Sequence, residues 1–217
     1  DLSTKGCFPK AWIRRGKDFI LLKDGGDDAV QKELLASRLC QCFDFKQVKY
    51  DEDFYDGQKV TQSKIITSRQ YSIVSKMAFE IYALNHDLNV LNECLRIDKE
   101  TYYGMNILDY LVGNIDRHPE NWGFLVDNRT NEYVSLYPIM DFNQSFGSYD
   151  TIDGANCQTV YPEKKTQREA AIEAVRHVGM HQIKDIDEEI FEDMTVWKEM
   201  FFRRLEELKN AVDTSVF

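Results

Sequence analysis

The amino-acid sequence predicts an α+β fold with a small β-rich N-terminal lobe and a larger, mainly helical C-terminal lobe. Short apolar runs separated by glycine-containing turns occupy the first 70 residues. From Ser72 onward, apolar residues recur at spacings of three and four, and the same spacing returns between Ile186 and Leu208. We therefore expect one lobe over residues 1–70 and the other over residues 71–217.

The N-terminal lobe is predicted to begin with a β-hairpin. The runs Ala11–Arg14 and Phe19–Lys23 flank a turn over residues 15–18 that contains glycine. Asp27 or Asp28 can then cap a helix, and Val60–Thr67 is a further strand candidate. The apolar face of that helix consists of Val30, Leu34, Leu35 and Leu39.

The C-terminal lobe is predicted to begin with a helix from Ser72 whose apolar face is Val74, Met77, Ile81 and Leu84. A second helix carries Met105, Leu108, Leu111 and Val112 and ends at Gly113-Asn114. The segments 122–126 and 132–136 flank a polar turn and predict a hairpin, and Thr166 with Glu169 forms a capping box. The final apolar stripe, from Ile186 to Leu208, is interpreted as core packing in preference to a partner-binding face.

Composition excludes several classes of function. The 217 residues contain 27 Lys and Arg against 37 Asp and Glu, a net charge of −10, so we expect neither direct nucleic-acid binding nor a polybasic membrane surface. No run approaches the ~18 apolar residues of a membrane span. Residues 1–23 are an exception in charge, with six Lys or Arg and two Asp. An anionic ligand is therefore expected to be held locally.

The cysteines and histidines predict no covalent framework or metal centre. Five cysteines are scattered along the chain, which suggests a reducing cytoplasm and no disulfide scaffold. His177 and His181 have the spacing of a helical metal pair, but Gly179 lies between them and no further ligand is near. We therefore expect no zinc site.

Residues 111–142 carry the predicted chemistry. Asp116 directly follows a helix and stands five residues before Asn121, and Asp141 comes twenty residues later, after the hairpin. Phosphoryl transfer from a nucleotide needs a carboxylate that orients the attacking hydroxyl and oxygen ligands for Mg²⁺. Asp116 fits the first role, and Asn121 and Asp141 fit the second. Alternatively, Asp116 and Asn121 are turn formers around Pro119, and Asp141 is a buried carboxylate satisfied by backbone amides.

The N-terminal segment offers groups that suit phosphates. Residues 3–10 contain Gly6, Lys5 and Lys10 and can lie over phosphates with backbone N–H groups. Lys23 ends a predicted strand and Glu33 lies on the next helix, an arrangement in which a lysine contacts phosphate and a glutamate orients it. Each feature is common by itself, since a strand-end lysine is usually solvated.

In this order, these motifs resemble the HipA-like serine/threonine kinases. The resemblance runs from Ser3 to about Ser145 and is most specific at Asp116-Arg117-His118-Pro119-Glu120-Asn121, followed by Asp141-Phe142. The catalytic block is also similar to that of phosphatidylinositol kinases, Asp-Arg-His-x-x-Asn. Both likenesses imply a two-lobed protein-kinase-like fold that binds ATP and Mg²⁺.

The resemblance also implies a role for each residue. Asp116 would be the catalytic base, Asn121 and Asp141 the Mg²⁺ ligands, Lys23 the nucleotide-phosphate lysine, and Gly6–Lys10 the phosphate loop. His118 would either hydrogen-bond the loop backbone or touch the γ-phosphate. Ser3 aligns with a serine that such enzymes autophosphorylate. The nucleotide base is expected near Ile65–Ser68, where the apolar period changes.

The implied activity is phosphorylation of a serine or threonine on a bacterial protein, with an antitoxin-type partner as a further expectation. The chain begins at the phosphate loop, so the N-terminal subdomain typical of full-length HipA toxins is not expected within it, and the usual antitoxin contact is in doubt. Two alternatives stay open. The acceptor is a phosphoinositide or another small hydroxyl compound, or the chain is a nucleotide-binding pseudokinase.

Overall fold

The fold is described from a computed structural model, which covers residues 8–147, 149–160 and 163–213. Two predicted site residues, Ser3 and Gly6, lie outside this part of the chain. The α+β prediction is confirmed, since one antiparallel sheet dominates the N-terminal part and helices dominate the rest. None of the described helices is long and apolar enough to cross a membrane. The predicted division at residue 70 stays a prediction.

Four antiparallel strands form the first sheet: β1 (Lys10–Arg15), β2 (Asp18–Lys23), β3 (Asp51–Tyr55) and β4 (Gln58–Lys64). Their order in the sheet is β1-β2-β4-β3. The predicted first hairpin is confirmed, and Gly16, with a φ of 61°, supplies the left-handed turn. The register places Lys10 directly opposite Lys23. Both lysines therefore lie at the same end of the β1–β2 pair.

Helix α1 (Gly26–Cys40) connects β2 to β3 and packs against β4. Its apolar face, including Leu34, Leu35 and Leu39, is buried as predicted. The predicted cap is wrong: Gly25 precedes the helix and makes no side-chain cap, while Asp27 and Asp28 lie inside the first turn. There the two carboxylates face the positive end of the helix dipole, which is favourable without a capping hydrogen bond.

A second, three-stranded sheet has the order β5-β6-β7: β5 (Tyr71–Ser75), β6 (Gly123–Asp127) and β7 (Glu132–Leu136). The predicted hairpin of β6 and β7 is confirmed. The helix predicted from Ser72 is wrong at its start, because residues 71–75 pair with β6 as a strand. Ser75 then caps helix α2 (Lys76–Asn85) by accepting a hydrogen bond from the N–H of Ala78.

The face of α2 that the spacing identified as apolar is exposed. Met77, Ile81 and Leu84 are all exposed, with Leu84 at 80%, whereas Phe79 and Ala83 on the opposite side enter the core. Periodicity detects a face but does not determine which face the rest of the protein covers. The predicted helix is therefore present from Lys76 onward, but most of its predicted apolar face lies at the surface.

Helix α3 (Val90–Val112) is the central element of the C-terminal part, and every residue from Thr101 to Val112 is buried. The backbone leaves helical geometry at Asp98, whose carboxylate accepts hydrogen bonds from the N–H groups of Thr101 and Leu136. The helix ends at Gly113, in the left-handed conformation with a φ of 64°, which confirms the predicted stop. This stop releases the chain into the loop that carries Asp116.

The C-terminal elements complete the main core. They are α4 (Gln167–Val178), a 3₁₀ helix (Glu188–Phe191) and α5 (Thr195–Asp213). The capping box of Thr166 and Glu169 forms as predicted. The apolar stripe is core, since Phe201 and Leu208 are fully buried. A separate, small cluster of Ile20, Leu22 and Val60 lies within the first sheet. Because α1 belongs to the main core, it links the first sheet to the helical part.

Candidate active site

Three distant segments bring Lys23, Glu33 and Asp141 into direct contact. The Nζ of Lys23, at the end of β2, lies 2.6 Å from Oε1 of Glu33 on α1 and 2.7 Å from Oδ1 of Asp141. The hydroxyl of Thr61 on β4 donates to the other oxygen of Glu33 at 2.6 Å. The sequence predicted each of these three charged residues separately, and the fold places them in one cluster.

Charges within the cluster determine the ionisation of its members. Burial would lower the pKa of Lys23, but the carboxylates of Glu33 and Asp141 outweigh it and raise that pKa well above its ordinary value. Burial would likewise raise the pKa of Asp141, but contact with Lys23 lowers it, with a further contribution from Lys10. Lys23 is therefore a permanent cation and Asp141 a carboxylate. The contribution of Lys10 is consistent with its register position opposite Lys23.

The backbone of Asp141 adopts a left-handed conformation with a φ of 65°, which is uncommon for a residue other than glycine. Its N–H donates to the hydroxyl of Tyr50 at 3.0 Å, and its carbonyl accepts from the side-chain amide of Asn114 at 3.3 Å. The next residue, Phe142, is completely buried. These contacts hold the carboxylate of Asp141 toward Lys23.

The loop after α3 positions Asp116 and Asn121. The side-chain amide of Asn121 donates to the carbonyl of Asp116 at 2.7 Å, which closes the loop on itself. The N–H of Asp116 donates to the side-chain oxygen of Asn114 at 3.2 Å. His118 lies in the same loop, and its Nδ1 accepts from the N–H of Glu120 at 3.2 Å. This contact corresponds to one of the two roles expected of His118, and a contact with the γ-phosphate stays a prediction.

The carboxylate of Asp116 is half-buried and accepts no hydrogen bond from any described residue. Burial raises its pKa, the neighbouring charge of Asp141 raises it further, and the nearby His118 and Arg117 oppose the shift. A carboxylate with a raised pKa and open oxygens is a better proton acceptor than an ordinary aspartate. Its geometry is therefore that of a candidate general base.

Arg117 holds this loop, and the sequence did not predict its role. The buried guanidinium donates to both carboxylate oxygens of Asp109 on α3, each at 2.8 Å, and to the carbonyls of Asn121 and Met140. It therefore joins the helix, the loop of Asp116 and the residue before Asp141. An aspartate eight residues before the arginine, on a buried helix turn, was the available signal. A helix that ends between the two residues hides such a pair from pattern analysis.

The oxygens available for a metal are few but of the right chemistry. The side-chain oxygen of Asn121 and the second carboxylate oxygen of Asp141 have no hydrogen-bond donor among the described residues. Carboxylate and amide oxygens suit Mg²⁺, which usually takes one or two carboxylates and completes its shell with water and phosphates. The described residues contain no group of three or more His, Cys, Asp or Glu that could hold a metal ion. The donor set fits an Mg²⁺ ion that also binds a nucleotide.

Three other predicted features remain: the segment 65–68, His177, and the pair of Ser3 and Gly6. Residues 65–68, predicted to lie near the nucleotide base, connect β4 to β5, and the N–H of Ile65 donates to the carbonyl of Phe19. His177 stacks on Tyr103, away from any metal-ligand group among the described residues. The phosphate-loop roles of Ser3 and Gly6 stay predictions, because these residues lie outside the described segments.

Part of the chain is similar in sequence to a known kinase. It is 29% identical over 121 residues to the serine/threonine-protein kinase CtkA of Helicobacter pylori. The alignment covers 49% of this chain and 36% of that kinase, so the chain matches only about a third of the relative's length. No protein-family model matches the chain.

Two solved structures have the same fold. The crystal structure of the H. pylori proinflammatory kinase CtkA matches with a TM-score of 0.68 and 16% identity, over 99% of this chain and 93% of that one. A chain of the Shewanella oneidensis complex of HipA, HipB and operator DNA matches with a TM-score of 0.51 and 11% identity, over 99% and 58% of the two chains. The expected kinase-like fold and the resemblance to HipA-like kinases are thereby confirmed.

Proposed function

We propose that this chain, which has the fold of HipA-like kinases, is an ATP- and Mg²⁺-dependent kinase that phosphorylates serine or threonine on a protein. The observation that carries the proposal is the cluster of Lys23, Glu33 and Asp141 beside the open carboxylate of Asp116. A strand lysine paired with a helix glutamate, together with a metal-binding aspartate, is the arrangement on which phosphoryl transfer in kinases depends.

Each side chain has a defined task in the proposed reaction. Lys23 places a fixed positive charge where the triphosphate would lie, and Glu33 holds that lysine in position. Asn121 and Asp141 would hold Mg²⁺, which neutralises charge on the phosphates when bound. Asp116 accepts the proton of the attacking hydroxyl. The new bond joins the acceptor oxygen to the γ-phosphorus, and the bond from that phosphorus to the leaving ADP oxygen breaks.

The test is phosphate incorporation from labelled ATP into the chain itself and into a protein extract. Asp116→Asn keeps the size of the side chain and removes the base, so transfer should fall by about 10²–10⁴-fold. Asp185→Asn, at an exposed loop position, is the matched control and should retain activity. Mass spectrometry of the same samples examines Ser3, the proposed autophosphorylation site.

Absence of transfer to the chain, to protein and to lipid by the wild type would contradict the enzyme assignment. Calorimetry then separates the remaining possibilities. Binding of Mg-ATP without turnover would identify a pseudokinase, and phosphate in lipid vesicles but not in protein would identify a lipid kinase.

An antitoxin-type partner is proposed by analogy alone. The structurally similar chain comes from a complex of HipA with HipB and operator DNA. Purification of the tagged chain from its native host should recover one stoichiometric protein partner. Recovery of the chain alone, at native expression levels, would count against this partner and leave the kinase assignment intact.

A further inference from the structure

A cavity of about 320 Å³ lies beside α1 and is separate from the cluster of Lys23 and Asp141. Leu34, Arg38 and Gln41 line it from the helix. Their spacing of four and three residues places them on one face of α1. Glu33, which holds Lys23, is offset from Leu34 by about 100° around the same helix. The cavity and the candidate active site therefore use different faces of one helix.

The cavity is lined by three cationic side chains, those of Arg38, Lys49 and Lys184. Arg38 and Lys184 have no carboxylate partner among the described residues. Lys49 lies 3.3 Å from Asp51, one of two carboxylates that line the cavity. The other, Glu52, is 2.7 Å from Lys59 outside it. Positive charge from Arg38 and Lys184 is thus left uncompensated in a chain whose net charge is −10.

Backbone hydrogen bonds fix the segments that carry these cations. The N–H of Ile183 donates to the carbonyl of Cys42 at 2.9 Å, and the N–H of Asp44 donates to the carbonyl of His181 at 2.8 Å. These two bonds hold Lys184 beside the end of α1. The N–H of Tyr50 donates to Ser37 on α1 at 3.0 Å, which places Lys49 on the same cavity. The segments that carry the three cations are therefore joined by hydrogen bonds around one cavity.

We propose that this cavity is a binding site for a phosphate monoester, distinct from the nucleotide site. A planar guanidinium with two or more N–H donors, flanked by ammonium groups, is the set that recognises a dianionic phosphate group. Arg38 supplies the guanidinium and Lys184 the unpaired ammonium group, while Lys49, which pairs with Asp51, is the third cation of the lining. Gln41 lines the same face, and its amide already donates to the carbonyl of Ser37.

The position of the site gives it a route to the candidate active site. Tyr50 lines the cavity, and its hydroxyl accepts the hydrogen bond from the N–H of Asp141. Arg38 and Glu33 lie on the same helix. An occupant would therefore contact both elements that position Lys23 and Asp141. This consequence for turnover rests on the proposed kinase function, whereas the binding site itself does not.

Cys42 provides a local probe that needs no catalysis. Its thiol lines the cavity and is partly exposed. Burial raises its pKa, so modification by N-ethylmaleimide should be followed at about pH 8.5. Cys157, which is also partly exposed and lies outside this cavity, is the internal control in the same digest. The rate at each cysteine is read by peptide mass spectrometry.

Inorganic phosphate should protect Cys42 and leave Cys157 unaffected. At a phosphate concentration about four times the dissociation constant, the modification rate of Cys42 should fall about fivefold, because protection follows 1 + [L]/Kd. Arg38→Ala and Lys184→Ala should abolish the protection. Lys209→Ala, which removes an exposed lysine of α5 with no carboxylate partner among the described residues, should retain it.

A Cys42 rate that does not depend on phosphate, or protection that survives both cavity variants, would overturn the proposal. Phosphate bound at the nucleotide site would leave Cys42 unprotected, so failure here is separable from failure of the kinase assignment. Repeating the assay with a phosphoserine tripeptide identifies the source of the group. If the tripeptide protects Cys42 at a lower concentration than inorganic phosphate does, the site recognises a phosphorylated protein chain. If the two protect at the same concentration, the site recognises the phosphate group alone.

Discussion

Two buried ion clusters meet at residues 140 and 141, and they differ in how completely they are closed. The side chains of Arg117 and Asp109 are 3% and 6% exposed, and both carboxylate oxygens accept from the guanidinium. In the other cluster, the side chain of Asp141 is 15% exposed and one of its oxygens has no donor among the described residues. The first cluster is saturated and the second is not.

Charge balance explains the difference. Arg117 and Asp109 form a neutral pair with satisfied hydrogen bonds, which requires no further ion. Lys23 directly contacts two carboxylates, so these contacts by themselves leave one negative charge in excess, although the charge of Lys10 also acts on Asp141. A buried excess charge is unfavourable unless another ion offsets it, and an open oxygen provides the place for that ion. The saturated cluster therefore supports the fold, and the unsaturated one is suited to binding a cation.

The largest expected effect is the loss of the saturated pair. Arg117→Met leaves the Asp109 carboxylate buried without a partner, so the free energy of unfolding should fall by about 3–5 kcal/mol. Arg96→Met is the control, because Arg96 pairs with Glu93 at the surface and an exposed pair contributes only about 0–1 kcal/mol. Urea unfolding of both variants measures the difference. Equal losses of unfolding free energy in the two variants would show that the buried pair of Arg117 and Asp109 stabilises the fold no more than an exposed pair does.

Breaking the unsaturated cluster should affect activity more than stability. Lys23→Met removes the charge that faces the triphosphate, and turnover should fall by about 10²–10³-fold. The stability loss should be smaller than for Arg117→Met, because Thr61 still bonds Glu33 and Asp141 is partly open to solvent. Mg²⁺ should restore part of the lost stability by binding the folded state. A loss as large as that of Arg117→Met, with no response to Mg²⁺, would contradict the comparison.

Glu33→Gln is expected to have an intermediate effect, because it removes one of the two carboxylates that hold Lys23. A hydrogen bond to a charged group contributes about 1.5–3 kcal/mol, so kcat/KM for ATP should fall roughly tenfold or more. The fall should appear mainly in KM, since Glu33 positions Lys23 and does not face the acceptor. Glu93→Gln, which breaks a surface pair with Arg96, should leave both constants unchanged. A fall confined to kcat would argue against the positioning role.

The sequence predicted the local parts of this comparison better than the tertiary ones. Lys23, Glu33 and Asp141 each carry a local signal, such as a strand end, a helix turn or an apolar flank, and all three meet in the structure. The pair of Arg117 and Asp109 carries only a weak signal, the aspartate eight residues before the arginine, and its contact depends on how the chain turns at Gly113. Local patterns thus identify the reactive residues, and packing determines which residues hold them.

Two differences between the predicted and the observed fold have the same physical origin. Strand β3 (Asp51–Tyr55) was not predicted from the sequence, because most of its residues are charged. Such a composition is typical of a strand at the edge of a sheet, where β3 lies. The residues Met77, Ile81 and Leu84 were predicted to form the apolar face of this helix, yet the core covers the opposite side of α2. In both cases the sequence pattern is compatible with more than one arrangement of buried and exposed residues. Only the surrounding elements determine which arrangement forms.

The smallest expected effect distinguishes the open carboxylate of Asp116 from an ordinary surface aspartate. Because the pKa of Asp116 is raised in the folded state, the charged form is less favourable there than in the unfolded chain. The wild type is therefore destabilised above the folded pKa, and this penalty disappears below the unfolded pKa of about 3.9.

Asp116→Asn carries no charge at any pH, so it should be slightly more stable than the wild type at neutral pH and equal to it in acid. Thermal unfolding across this pH range, with Asp185→Asn as the control, measures the effect. A variant less stable than the wild type at neutral pH would show that the Asp116 carboxylate supports the fold instead of standing open for a substrate.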